Sequence, residues 1–266
     1  MNENIKWIAA AVAVVGLSIG AVVYFTSGKS GTDKPPVPAP VAAKPAEPEE
    51  PPVEHPLAAA DANQALPALN DSDLPMQMEL EDLIGQESVG RYLVSEDVIR
   101  HVVVTIDNLP NTKVAERLRP VKPAPGKFAV SGPEDAMVLD SANYERYKPL
   151  VQLFRTADTQ KLVTIYTRYY PLFQEAYENL GHPPKYFNDR VIQVIDHLLA
   201  TPDVPDPVAL AQPNVQFEYA DAKIETRSAG QKALIRMGRE NSAAIKAKLK
   251  DLRRELVARQ AAVSKP

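Results

Sequence analysis

Glu175, Glu178 and His182 stand at i, i+3 and i+7, a spacing that would stack three metal-capable side chains on one helix face. Gly181 ends the periodic stretch just before His182, and no second Glu-x-x-His copy completes a di-metal set, so no metal site is expected. Asp97 and His101, at i and i+4, read as a surface pair. Asp196 and His197 are adjacent, so on a helix they diverge by about 100° and cannot act together directly. The chain has no cysteine, which excludes a thiol nucleophile, a disulfide scaffold and a Cys-ligated zinc or iron–sulfur centre. Gly-x-Ser-x-Gly, His-Glu-x-x-His, Walker and Gly-x-Gly-x-x-Gly patterns are all absent. No residue is therefore assigned to catalysis, to a cofactor or to a metal. A carboxylate pair for glycoside hydrolysis stays open, because its roughly 5–9 Å separation is a property of the fold.

The other chemistry-bearing cluster is cationic. Residues 110–135 are broken by Pro120, Pro123, Pro125, Gly126, Gly132 and Pro133, and they carry Arg117, Arg119, Lys122 and Lys127. A basic loop on a rigid scaffold is a place for partner binding. The competing reading pairs the same charges with acidic residues around Glu79–Asp82. Ten of the 17 aromatic residues fall between Tyr144 and Phe187, and their helical spacing assigns most of them to a core. Tyr170 and Tyr186 lie off the main stripe and remain as contact residues.

These residues must be positioned by helices. Val98, Val102, Ile106 and Leu109 repeat at helical spacing after the start signal Ser95-Glu96-Asp97, and Pro110 ends the run. A helical region from Asp140 to Leu180, with breaks predicted at Pro149 and Pro171, carries the stripe Leu162, Ile165, Tyr166, Tyr169, Phe173, Tyr177 and Leu180. Further helices are predicted near 188–200, 222–237 and 239–259, the last two separated at Gly238. Short extended pieces are expected near 128–130 and 215–219. The last helix carries seven basic and three acidic residues, with an apolar seam of Ile245, Leu249, Leu252 and Leu256 that should pack onto its own domain. The fold class is thus mainly α, about seven helices with little strand, over residues 71–266.

The N-terminal quarter is different. Trp7–Phe25 is 19 residues without a charged side chain, about 28 Å as a helix, enough to cross a bilayer core. It lacks a clean cleavage site and exceeds the usual signal-peptide apolar length, so residues 1–28 read as an uncleaved single-pass anchor. Gly16 and Gly20 form a Gly-x-x-x-Gly pair suited to close helix packing and a homodimer. Residues 29–70 form a Pro/Ala/Glu-rich linker expected to be disordered, with nine prolines among the 22 residues from Pro35 to Pro56.

Five stretches resemble the bacterial family catalogued as domain of unknown function 3014. They are Val103–Pro110 (VVTIDNLP), Lys113–Gly132 (KVAERLRPVKPAPGKFAVSG), Tyr170–Gly181 (YPLFQEAYENLG), Tyr186–Pro202 (YFNDRVIQVIDHLLATP) and Gly230–Leu249 (GQKALIRMGRENSAAIKAKL). The resemblance covers about residues 75–255. It implies a Gram-negative envelope setting and an anchor–spacer–domain architecture, and no catalytic residue comes with it.

Taken together, these features predict a single-pass protein of the bacterial inner membrane with its C-terminal domain in the periplasm. It would serve as an interaction or scaffold module for an envelope protein or the cell wall. The alternative is a hydrolase or carbohydrate-binding protein acting on the wall. The net charge of −4 argues against nucleic acid as a partner.

Overall fold

The computed structural model describes residues 53–57, 65–182 and 185–263. The predicted anchor, the Gly16/Gly20 pair and most of the spacer lie outside these residues. Among the described residues, no helix is long and apolar enough to cross a membrane.

The described chain is mainly helical. Its nine α-helices are α1 (Asp73–Ile84), α2 (Gln86–Tyr92), α3 (Val98–Asn108), α4 (Ala142–Thr156), α5 (Thr159–Glu178), α6 (Phe187–Leu199), α7 (Ala222–Glu225), α8 (Ala229–Arg236) and α9 (Arg239–Val263). Four two-residue strands accompany them: β1 (Val130–Ser131), β2 (Val138–Leu139), β3 (Leu210–Ala211) and β4 (Glu218–Tyr219). β1 pairs antiparallel with β2 and β3 with β4, and a bridge between Val138 and Ala209 joins the two pairs.

α5 forms the centre because its apolar stripe is wide: Leu162, Tyr166, Tyr169, Phe173 and Tyr177 are all buried. α3 and α6 pack on it, and α9 lies across α4, α5 and α6. The α9 seam of Ile245, Leu249, Leu252 and Leu256 is buried throughout, as its spacing predicts. Its cations are largely spent within the domain. Arg253 pairs with Asp196, Arg239 with Asp203, and Arg259 reaches Thr164. Lys248 is buried and donates to the carbonyl of Ala157 at the end of α4 and to Thr159 Oγ1. A cation at a helix C-terminus satisfies carbonyls that the helix leaves unpaired. A second, smaller core of Leu139, Val208, Leu210, Tyr219, Ile224 and Ile235 sits under the short strands.

The two predicted proline breaks are corrected. α4 runs through Pro149 and α5 through Pro171, both on the exposed face, where water serves the carbonyl that loses its amide partner. The chain breaks instead at Ala157-Asp158, where the Asp158 carboxylate accepts from the N–H groups of Gln160 and Lys161. The helix predicted over 222–237 is also two helices. Ser228 caps α8 by accepting from Gln231 N–H, the Ser-x-x-Gln pattern of a capping box. α3 begins at Val98 rather than near Ser95, because Asp73 reaches over from α1 and accepts from the N–H groups of Asp97 and Val98. Gly238, at φ +83°, separates α8 from α9, and an added Cβ would sit 2.7 Å from the Tyr144 ring.

Candidate functional site

The Tyr stripe of α5 positions the start of α6. Phe187 N–H donates to Gln174 Oε1 and Asn188 N–H to the Tyr170 hydroxyl, so two amides that α6 leaves free are satisfied from its neighbour. Tyr170 also donates to Gln174 Oε1, and Gln174 Nε2 donates to Glu178 and to the Lys185 carbonyl. Tyr166 donates to Asn188 Oδ1 at 3.3 Å. Burial pushes the Tyr166 and Tyr170 hydroxyls well above the usual phenol range, so both stay neutral donors. Packing is equally tight: Phe173 and Phe187 stack with centroids 6.1 Å apart, and Tyr177 lies 5.2 Å from Phe187.

On this platform opens a cleft of about 580 Å³, lined by Asp107 and Asn111 from the end of α3, Tyr177 and His182 after α5, and Lys185, Asp189, Arg190 and Gln193 at the start of α6. Asp107 is its hub. Its Oδ1 accepts from Arg190 Nε at 2.8 Å and its Oδ2 lies 3.3 Å from His182 Nε2, while its carbonyl accepts from Arg190 Nη2 at 2.6 Å. The His182 ring stacks on Tyr177 at 4.7 Å. The predicted trio of Glu175, Glu178 and His182 does not form a site: His182 turns to Asp107, and among the described residues no group of three metal-capable side chains assembles.

The cleft wall is completed by a piece of the predicted spacer. Glu54 lines it, and the segment from Val53 to Leu57, bent at Glu54 and His55, lies along the first turn of α6. Asp189 accepts from Glu54 N–H at 3.1 Å and from His55 N–H at 2.6 Å. Asn188 Nδ2 donates to the His55 carbonyl, and the Tyr186 hydroxyl accepts from Leu57 N–H. Leu57 is only 8% exposed and joins the main core. Of the two off-stripe aromatics, Tyr170 is thus a buried positioning residue and Tyr186 a contact residue.

The predicted loop cations differ in exposure. Arg119 is 5% exposed, whereas Arg117, Lys122 and Lys127 are on the surface. Lys122 Nζ donates to the Gly90 carbonyl at 2.6 Å. Arg146 fixes the loop by donating to the carbonyls of Ala124, Pro125, Gly126 and Lys127. Glu79, one of the acids around Glu79–Asp82 that the competing reading pairs with the loop, pairs with Arg168.

A second cluster has the look of chemistry. Asp196 and His197 diverge as predicted: Asp196 turns to Arg253, and His197 Nε2 lies 2.8 Å from Ser228 Oγ. Ser228 is spent, however, as the α8 cap, and the amides beside it are taken, Ala229 N–H by the Asn111 carbonyl and Gly230 N–H by that of Leu109. No donors are left there for a developing oxyanion. Desolvation, with help from Arg190 and Arg227, lowers the His197 pKa from its ordinary 6.5. The unfolded chain therefore binds a proton that the folded one resists, and the stability held above pH 6.5 is lost as the pH falls below it. Urea unfolding at about pH 7.5 and about pH 5.5 should show a larger loss for the wild type than for His197→Gln. Equal losses would mean that His197 is not buried against the cap.

A family model described as "Protein of unknown function (DUF3014)" matches residues 98–253, more than half of the chain and all the α3–α9 residues that line the cleft. No curated protein and no solved structure matches the chain.

Proposed function

The chain belongs to the family of unknown function DUF3014, and from that premise we propose that it is a membrane-anchored envelope protein whose helical domain is an interaction module gripping a short polypeptide segment. One observation carries the binding reading. Side chains of the α6 start hold four main-chain groups of Glu54–Leu57, and an apolar pocket receives Leu57. Main-chain hydrogen bonds combined with a side-chain pocket are how extended peptides are recognised in general. Charges of both signs line the cleft, and of these Arg190 and Asp107 pair with each other, while Asp189 holds the amides of Glu54 and His55. A hydrolytic reading is weaker, because Asp107 is committed to Arg190 and His182, and Asp189 to the strand amides.

The test is a titration of the full chain with a synthetic peptide of residues 50–60, carried to millimolar concentration and followed by amide shifts. Signals of Tyr186, Asp189 and Arg190 should move in the wild type as the peptide exchanges with the resident segment, and the Asp189→Ala chain should bind about threefold more weakly, because the substitution loosens the resident segment as well. Unmoved cleft signals, or equal affinities, would refute the binding site.

The anchor at 7–25, with Gly16 and Gly20 as its dimer contact, and the periplasmic placement of the domain rest on the sequence. The partner is then an envelope protein or a wall-linked polypeptide, and Arg117 and Lys127 form an auxiliary contact for an acidic one. A phosphatase active only in the periplasm, fused after Pro266, should be active. An intact but inactive fusion would put the domain in the cytoplasm.

A further inference from the structure

Tyr177 is only 3% exposed, yet its hydroxyl has no hydrogen-bond partner among the described residues. A buried phenol ordinarily finds one. The ring packs on His182 at 4.7 Å and on Phe187 at 5.2 Å, and the residue lines the cleft of about 580 Å³. Asp107 and Arg190 stand close enough to act on the hydroxyl in opposite senses, so it lies beside the central ion pair of that cleft. Burial raises it above the usual phenol range, and it stays a neutral group able to donate and to accept.

Other groups on the cleft wall are equally unspent. Gln193 Oε1 accepts from Arg190 Nη1 at 2.6 Å, which leaves the Gln193 amide nitrogen to donate. Asn111 Nδ2 donates to Asn108 at 3.0 Å, which leaves the Asn111 Oδ1 to accept. The Lys185 ammonium has no partner among the described residues. The charges of the cleft do not favour an ion. Three carboxylates, Glu54, Asp107 and Asp189, stand against two permanent cations, Lys185 and Arg190, so an anion meets an excess of acid. A cation finds Asp107 already on Arg190, and Asp189 on the amides of Glu54 and His55. A hydroxyl is the neutral group that donates and accepts at once, so a ligand bearing several of them answers the unspent set. The half-buried ring of Tyr186 adds an apolar surface for the C–H face of a sugar ring. The cleft volume also lies in the range that encloses small ligands.

We infer that this cleft binds a neutral saccharide of one or two rings, with the Tyr177 hydroxyl as its buried contact. The site goes beyond the segment-binding reading above and does not compete with it. Glu54 is one wall, and the ligand enters with residues 53–57 still docked.

The experiment titrates the full chain with glucose, N-acetylglucosamine and maltose, each to about 100 mM, and follows amide shifts, with gluconate as the charged counterpart. Signals of Asn111, Tyr177 and Gln193 should move with at least one neutral sugar, with a Kd of about 1–10 mM. Tyr177→Phe should weaken that binding about fivefold. Because the hydroxyl is unpaired in the free chain, the same variant should unfold at the wild-type temperature, which a purely structural hydroxyl would not allow. Gln193→Leu, at an exposed position, should weaken binding about threefold. Unmoved cleft signals with all three sugars, or equal affinities of the wild type and Tyr177→Phe, overturn the inference. Shifts with gluconate alone overturn it as well, because the cleft would then select an anion.

Discussion

Phe187→Ala is expected to cost about 3–5 kcal/mol of folding stability, the usual penalty for emptying a fully enclosed aromatic site. Phe187 has no exposed surface, stacks on Phe173 and touches Tyr177, so neighbouring side chains cannot easily close the gap. It is also the first residue of α6, with its N–H held by Gln174, so the cavity would open under the turn that carries Asn188 and Asp189. Against a typical total of about 5–15 kcal/mol, this should lower the unfolding midpoint by about 10 °C and empty the cleft of its order. Thermal unfolding followed by circular dichroism reads it directly. A loss under about 1 kcal/mol would show that the aromatic cluster does not support α6.

Asp189→Ala is the second large effect, and it should leave the core intact. Hydrogen bonds to a charged group are worth about 1.5–3 kcal/mol each, and Asp189 accepts two, from the N–H groups of Glu54 and His55. One of the two is solvent-exposed, so a discounted figure of about 2 kcal/mol is expected, a weakening of roughly thirtyfold. Asp189 also lies in the first turn of α6, where the positive end of the helix dipole favours it, so a few tenths of a kcal/mol of helix stability go with it. The variant should show the wild-type circular dichroism spectrum but much faster protease cleavage between Val53 and Leu57. Unchanged cleavage would mean that the carboxylate does not hold the segment.

The helical scaffold was readable because its signals are local. The α5 stripe, apart from Leu180, which lies past the helix end and is exposed, and the α9 seam follow from one period, and Gly238 marks a boundary by its residue type. Pro149 and Pro171 misled because a proline's cost depends on whether the orphaned carbonyl faces water, which the sequence does not state. Asp158 and Ser228 were legible caps, each with its acceptor three residues or fewer from the amide it serves, and they went unread beside more conspicuous prolines. The cleft was a harder case. It joins residues 54, 107, 182 and 189–193, and no spacing in the chain relates them. Asp107 sits at the end of an apolar helix, and nothing local marks it as the partner of Arg190, 83 residues away. The docked segment is masked by its composition: Val53 and Leu57 are apolar residues at the end of a Pro/Glu tract, and only Leu57 is buried. Tyr186 lies off the main stripe, and its hydroxyl accepts from Leu57 N–H, a partner that no local spacing indicates.

The central claim is that the start of α6 grips a polypeptide segment by its main chain, and amide hydrogen exchange on the full chain tests it most directly. The N–H groups of Glu54, His55 and Leu57 should exchange at least about tenfold more slowly than an unstructured peptide of the same sequence, and Asp189→Ala should release the first two. Exchange of all three at the rate of the free peptide in the wild-type chain would contradict the claim.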